Sequence, residues 1–153
     1  MANAAQILAR KSTHAAEDGD PIASLSPTHH AIDAAKLMNE RHIGSVVILD
    51  DDRHVLGIFT ERDVLRRIVA DHRDPDTTQL GEVMTTPVAC ASPTTTADEL
   101  RSVMREKRIR HIPVVSDEGE HIIGMISIGD LNQAEINTQV QTIRYLQQYI
   151  SVG

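Results

Sequence analysis

The chain is built from a duplication, and this constrains its fold more than any other feature. The run PIASLSPTHHAIDAAKLMNERHIGSVVI (Pro21–Ile48) lies over PVACASPTTTADELRSVMREKRIRHIPV (Pro87–Val114) at a constant shift of 66 residues. Pro21 meets Pro87, Ser26-Pro27 meets Ser92-Pro93, Met38 meets Met104 and Ile43 meets Ile109. The shift then becomes 67, so that Gly57 meets Gly124, Thr60 meets Ser127 and Asp63 meets Asp130. The extra residue falls where SDEGEH faces DDDRH, at the turn of an expected hairpin, where an insertion costs little. Self-similarity at a fixed period that respects element boundaries marks one supersecondary unit used twice.

Each unit reads β-α-β-β-α. Ile22–Leu25 and Val88–Ala91 are expected as short strands ending at Ser-Pro. Ala31, Ala34, Ala35 and Met38 recur at helical spacing, as do Ala97, Leu100, Val103 and Met104. The apolar runs IGSVVIL and IRHIPVV pair with HVLGIF and HIIGMI as hairpins. A second helix then starts at Glu61 and runs to about His72 in one unit; in the other it starts near Ile128 and is longer. The expected division is an N-terminal segment over 1–20, repeat 1 over 21–72, a linker with a short helix over 73–86, repeat 2 over 87–135 and a C-terminal helix over 136–153. One unit of this size is marginal alone, so the two are expected to share a core about a pseudo-twofold axis in a mixed α+β fold.

Composition excludes several functions. Phe59, Tyr145 and Tyr149 are the only aromatic residues, so a flat ligand must lie between aliphatic side chains and backbone. That scarcity and the net charge of −7 argue against nucleic acid, which calls for stacking rings and a basic footprint. A single cysteine, Cys90, precludes an intrachain disulfide and suits a reducing, cytoplasmic setting. It is expected as a buried thiol on the first strand of repeat 2. No run has the length and apolarity of a membrane span. A short leading helix is expected at the N-terminus in place of a targeting peptide.

The chemistry concentrates in GIFTERDVL (Gly57–Leu65) and GMISIGDL (Gly124–Leu131). Both place a hydroxyl where a strand ends and an aspartate three residues into the following helix. This is the spacing of a capping box, with Asp in place of the usual Glu or Gln. It is also the spacing of a ribose-phosphate clamp: free N–H groups and a hydroxyl for the phosphate, a carboxylate for the sugar hydroxyls. A glycine three residues before each hydroxyl permits the close approach of another backbone or a ligand.

These cassettes, with RIRHIPVV, resemble the cystathionine-beta-synthase domain pair, also called the Bateman module, over about Pro21–Leu131. The resemblance implies two clefts between the repeats for adenosine-containing ligands: AMP, ADP, ATP, S-adenosylmethionine or NAD. Thr60 and Asp63 would contact phosphate and ribose in one cleft, and Ser127 and Asp130 in the other. Ile22, Ile43, Gly44, Val88, Ile109 and Pro113 would frame the adenine. The cassettes differ, because Arg62 stands where the second has Ile128-Gly129, while Arg108, Arg110 and His111, at a strand entry the family uses to line a cleft, stand where repeat 1 has His42, Gly44 and Ser45. Arg62, Arg110 and His111 are therefore added to the expected cleft, and Arg105 and Lys107 are left as solvated complements to a helix C-terminus. AMP comes first because no large basic surface for a triphosphate is evident.

Other chemistries lack their patterns. The histidines have no tetrahedral ligand spacing, so no metal is expected, and Asp50–Asp52 reads as a turn. Nucleophile elbow, phosphate loop, zincin and dinucleotide motifs are missing, so no catalytic residue is assigned and no enzyme is expected. Ile136, Val140, Ile143, Leu146 and Ile150 form a helical apolar stripe, which suits docking in cis or a homodimer. The expected function is an adenine-nucleotide sensor acting on a separate protein partner. The alternative is a ligand-independent dimeric adaptor in which the cassettes only cap helices.

Overall fold

The structure is a computed structural model that describes residues 2–12, 22–119 and 121–151. Its elements are α1 (Ala4–Ser12), β1 (Ser24–Leu25), α2 (Ala31–Arg41), β2 (Ser45–Leu49), β3 (Val55–Thr60), α3 (Glu61–Asp63), α4 (Leu80–Val83), α5 (Ala97–Lys107), β4 (His111–Val115), β5 (Ile122–Ser127) and α6 (Ile128–Ser151). α3 continues as a π-helical turn over Val64–Val69, so the expected second helix of repeat 1 is shorter and wider than an ordinary α-helix.

Repeat 1 has a three-stranded sheet in which β2 is parallel to β1 and antiparallel to β3. Repeat 2 has the β4–β5 hairpin but not the strand expected over Val88–Ala91. Only Ala91 pairs, donating to Pro113 O and accepting from Val115 N. Pro87 brings no N–H to a ladder, and Ala89, Cys90 and Ala91 offer little side chain to pack on a pleated surface. Cys90 is accordingly exposed, contrary to the buried thiol expected.

α2 and α5 end alike. His42 and Arg108 take left-handed conformations (φ 53° and 56°) and donate their N–H groups to Met38 O and Met104 O. These caps stop each helix and turn the chain into the next strand.

Three apolar clusters hold the molecule together. Repeat 1 packs Ala34, Met38, Val46, Ile48 and Phe59 with Leu80 and Val83 of α4. Repeat 2 packs Leu100, Met104, Ile112, Val114 and Ile126 with Ala4 and Ile7 of α1. A third cluster, Ile22, Val47, Leu49 and Ile122, joins the repeats. α1 thus completes the second repeat, and α4 the first.

The hydrogen bonds show why. Ala4 N and Ala5 N donate to Thr95 O and Pro93 O; Leu80 N and Gly81 N donate to His29 O and Pro27 O. Asn3 bridges Thr96 as Gln79 bridges His30. α1 is therefore the counterpart of α4 at a shift of 76, and the duplication extends beyond Pro21–Leu131.

The motif glycines serve this docking. A Cβ on Gly57 would lie 2.5 Å from Met84 Sδ, and one on Gly124 2.5 Å from Leu8 Cδ2. The space beside each glycine holds an apolar side chain of the incoming segment.

Candidate functional site

Both cassettes form capping boxes. Thr60 N donates to Asp63 Oδ2 at 3.0 Å, and Asp63 N to Thr60 Oγ1 at 3.2 Å. Ser127 N donates to Asp130 Oδ2 at 2.8 Å, and Asp130 N to Ser127 Oγ at 3.2 Å. The short Asp side chain therefore suffices as the reciprocal acceptor.

The two carboxylates differ in what else they hold. Asp63 is 8% exposed. Its Oδ1 accepts from Thr85 Oγ1 at 3.2 Å and lies 3.6 Å from Arg67 Nε. Arg67 is itself anchored, donating to Val83 O and Met84 O. Asp130 Oδ2 instead accepts from Lys11 Nζ at 2.9 Å, and the same ammonium donates to Met125 O at 2.8 Å.

A cleft of about 320 Å³ opens beside the first cassette, between the repeats. That is the lower end of the range for small-molecule sites. Of the residues expected at a site, it gathers Gly44, Thr60, Arg62, Asp63, Ile109, Arg110 and His111. Arg108, from the same strand entry as Arg110 and His111, joins them, and the cleft also recruits Ile58, Glu61, Arg66, Arg67 and Thr85. Five arginines thus line one cleft against two acids, contrary to the expectation that no large basic surface is present. Arg62 Nη1 donates to Arg108 O at 3.3 Å across the repeats. Arg66 and Arg67 follow Asp63 by three and four residues, one helical turn on, and that spacing was the available signal. Thr85 carried none, since its part depends on where the linker docks.

The remaining expected residues lie elsewhere. Ile22 belongs to the cluster joining the repeats. Ile43 packs on the core of repeat 1 and lines a neighbouring groove with His42 and Val64. Pro113 is fully buried, and Val88 is partly buried ahead of Ala91. Ser127 and Asp130 stand at the second cassette against Lys11.

His111 sits where the repeats touch, its ring 3.4 Å from where a Cβ on Gly44 would be. Burial pushes its imidazole below the usual 6.5, and Glu61 and Asp130 partly oppose this. The folded state thus favours the neutral ring. Stability from this residue is present above about pH 6.5 and is lost as pH falls from there through its lower folded value. The urea midpoint of the wild type is expected to fall more between neutral pH and about pH 5.5 than that of His111→Gln. Equal falls would show that the ring titrates as if unfolded.

His54 and His121 stack with ring centroids 5.9 Å apart. Asp50 Oδ1 accepts from Asp52 N and His54 N, closing the acidic turn. Among the described residues no three His, Cys, Asp or Glu side chains are grouped to hold a metal. No helix of the described residues is long and apolar enough to cross a membrane.

Two related repeats joined by a shared apolar cluster, with an arginine-lined cleft at the start of a helix, define a class of paired modules. Comparison with known proteins makes the class specific. The CBS domain family model matches residues 19–70 and again 80–137, and the chain belongs to the CBS domain family. The chain is 35% identical over 125 residues to the CBS domain-containing protein CBSX3, mitochondrial, of Arabidopsis thaliana, covering 79% of this chain and 60% of that relative. A solved protein with CBS domains from Burkholderia ambifaria MC40-6 is 38% identical, with a TM-score of 0.79 over 90% of this chain and 96% of that one. A CBS domain protein from Pyrobaculum aerophilum, solved with AMP, shares the fold at 24% identity and a TM-score of 0.69, over 84% and 89% of the two chains.

Proposed function

We propose that this protein is an adenine-nucleotide sensor whose ligand lies in the Asp63 cleft and whose output acts on a separate protein. One observation carries the reading: Thr60, Asp63 and five arginines converge on a single cleft of ligand size. The Asp63 carboxylate is the acceptor for ribose hydroxyls, and Thr85 holds that acceptor in the free protein. The guanidiniums take the phosphate, which they can fork onto in pairs. The AMP complex of the Pyrobaculum protein supports the ligand class. No catalytic role is assigned to any residue.

Because the cleft is lined from both repeats, a ligand there biases their relative angle by its differential affinity for the two arrangements. A homodimer is the proposed assembly. Ile136, Val140, Ile143 and Leu146 lie exposed along α6, which also favours the adaptor as a second reading. The described part of the stripe ends before Ile150, whose side chain lies outside the described residues.

Thermal shift with AMP, ADP, ATP and NAD separates the two readings. A sensor's melting temperature rises with ligand concentration, whereas an adaptor's does not. The ribose contact predicts that 2′-deoxy-AMP binds roughly 10- to 150-fold more weakly than AMP, the worth of a hydrogen bond to a charged group. Equal affinities would leave Asp63 as a helix cap alone.

A further inference from the structure

The duplication lets the two cassettes be compared residue by residue. The arginines of the first cleft, Arg62, Arg66, Arg67, Arg108 and Arg110, correspond at shifts of 67 and 66 to Gly129, Gln133, Ala134, His42 and Gly44. All five guanidiniums therefore have uncharged or weakly basic counterparts. The nearest cation at the second cassette comes from outside the repeat match: Lys11, on α1.

Lys11 is already committed. Its ammonium contacts Asp130 Oδ2 at 2.9 Å and Met125 O at 2.8 Å. Its helix is pinned by buried Ala4 and Ile7 and by Leu8 beside Gly124. In the first cassette the incoming segment offers Asp63 the hydroxyl of Thr85. That neutral donor can be exchanged for a ribose hydroxyl without leaving a charge unpaired. At the second cassette an ammonium already sits on the carboxylate, and Arg110, whose O accepts from Ile128 N at 2.9 Å, lines the first cleft.

We infer that only the first cleft is an anion site, and that the second is a clasp in which Lys11 ties α1 to Asp130. The module then takes one phosphate-bearing ligand per chain. For nucleotides this rests on the function proposed above, but the placement of the anion site can be tested without them.

Inorganic pyrophosphate, titrated into the full ¹⁵N-labelled chain, probes only where the cations face an anion. Amide shifts are expected at Glu61–Arg67 and Arg108–His111, with little change at Gly129–Ala134. Asp130→Asn releases Lys11 from its counter-charge and is expected to gain a pyrophosphate response at the second cassette. Calorimetry with ADP is expected to give one site per chain, with the affinity of Asp130→Asn at that site within about twofold of wild type.

Wild-type shifts of similar size at both cassettes, or at neither, would overturn the inference. So would an Asp130→Asn chain that stays silent at the second cassette, or two equal ADP sites. Two equal ADP sites would leave the nucleotide reading standing. Pyrophosphate shifts confined to the first cassette, with no nucleotide binding, would sink that reading and leave this inference intact.

Discussion

Asp63→Ala is expected to lower both the stability of the protein and its affinity for adenine nucleotides. The carboxylate receives Thr60 N and Thr85 Oγ1 and lies beside Arg67 Nε, all while 8% exposed. Alanine leaves the first N–H of the cassette without its acceptor and Arg67 without its nearest anion. Lost capping and charge-assisted hydrogen bonds together are expected to cost about 2–3 kcal/mol. The urea midpoint measures it. On the fraction that remains folded, nucleotide binding is expected to weaken roughly 10- to 150-fold. Asp63→Asn keeps the size and one acceptor oxygen, so it is expected to retain more stability than alanine while still losing affinity. An unchanged midpoint for Asp63→Ala would contradict the hydrogen bonding described; unchanged affinity would remove Asp63 from the ligand.

Gly124→Ala is expected to unseat α1. The new Cβ would meet Leu8 Cδ2 at 2.5 Å, Cδ1 at 2.6 Å and Cγ at 3.1 Å. The whole isobutyl group must therefore move. Moving it lifts a helix that supplies Ala4 and Ile7 to the core of repeat 2. Overpacking of this kind costs about 1–3 kcal/mol. Hydrogen exchange is expected to quicken over Ile7–Lys11, and Leu8→Ala in the same chain to recover part of the loss, as coupling between touching residues requires. Gly57→Ala is expected to cost about as much, since its Cβ would meet Met84 Sδ at 2.5 Å, Cγ at 2.8 Å and Cβ at 3.1 Å, the last fixed to the backbone. If Gly124→Ala were neutral and α1 exchange unchanged, Leu8 would not be what seats the helix.

Glycine position and capping geometry explain what the cassettes do in the free protein, and they alter the weight of the motif. Both hydroxyl–carboxylate pairs cap helices, and both glycines make room for the chain itself. The motif alone is thus no evidence for a ligand. What favours a ligand at one copy is its surroundings: five arginines, a carboxylate that accepts from Thr85 beside Arg67, and a cleft open between the repeats. At the other copy the same motif faces Lys11.

Much of this was legible in the order of residues. Periodicity placed α2, α5 and both hairpins, because each has one apolar face repeating at the spacing of its element. The duplication required a shared core, and Ile22, Val47, Leu49 and Ile122 supply it. The motif spacing placed Thr60, Asp63, Ser127 and Asp130 at helix starts. Less visible was α1 as part of the duplication. The chain between Leu8 and Pro21 is ten residues longer than that between Met84 and Pro87, and a shift that changes inside a loop hides the match. Val88–Ala91 failed as a strand because alternation could not convey how little its small side chains would bury.

Local sequence determined two capped β-α-β-β-α-type units and the positions of their reactive groups, since helix starts, hairpins and caps depend on neighbours a few residues apart. Which groups meet across long separations was decided by the tertiary structure alone. Arg62 joins Arg108, Thr85 reaches Asp63 and Lys11 reaches Asp130 only after α4 has folded onto repeat 1 and α1 has crossed to repeat 2. Charges far apart in sequence become partners through packing, and the packing that paired Lys11 with Asp130 is what made two like motifs unlike.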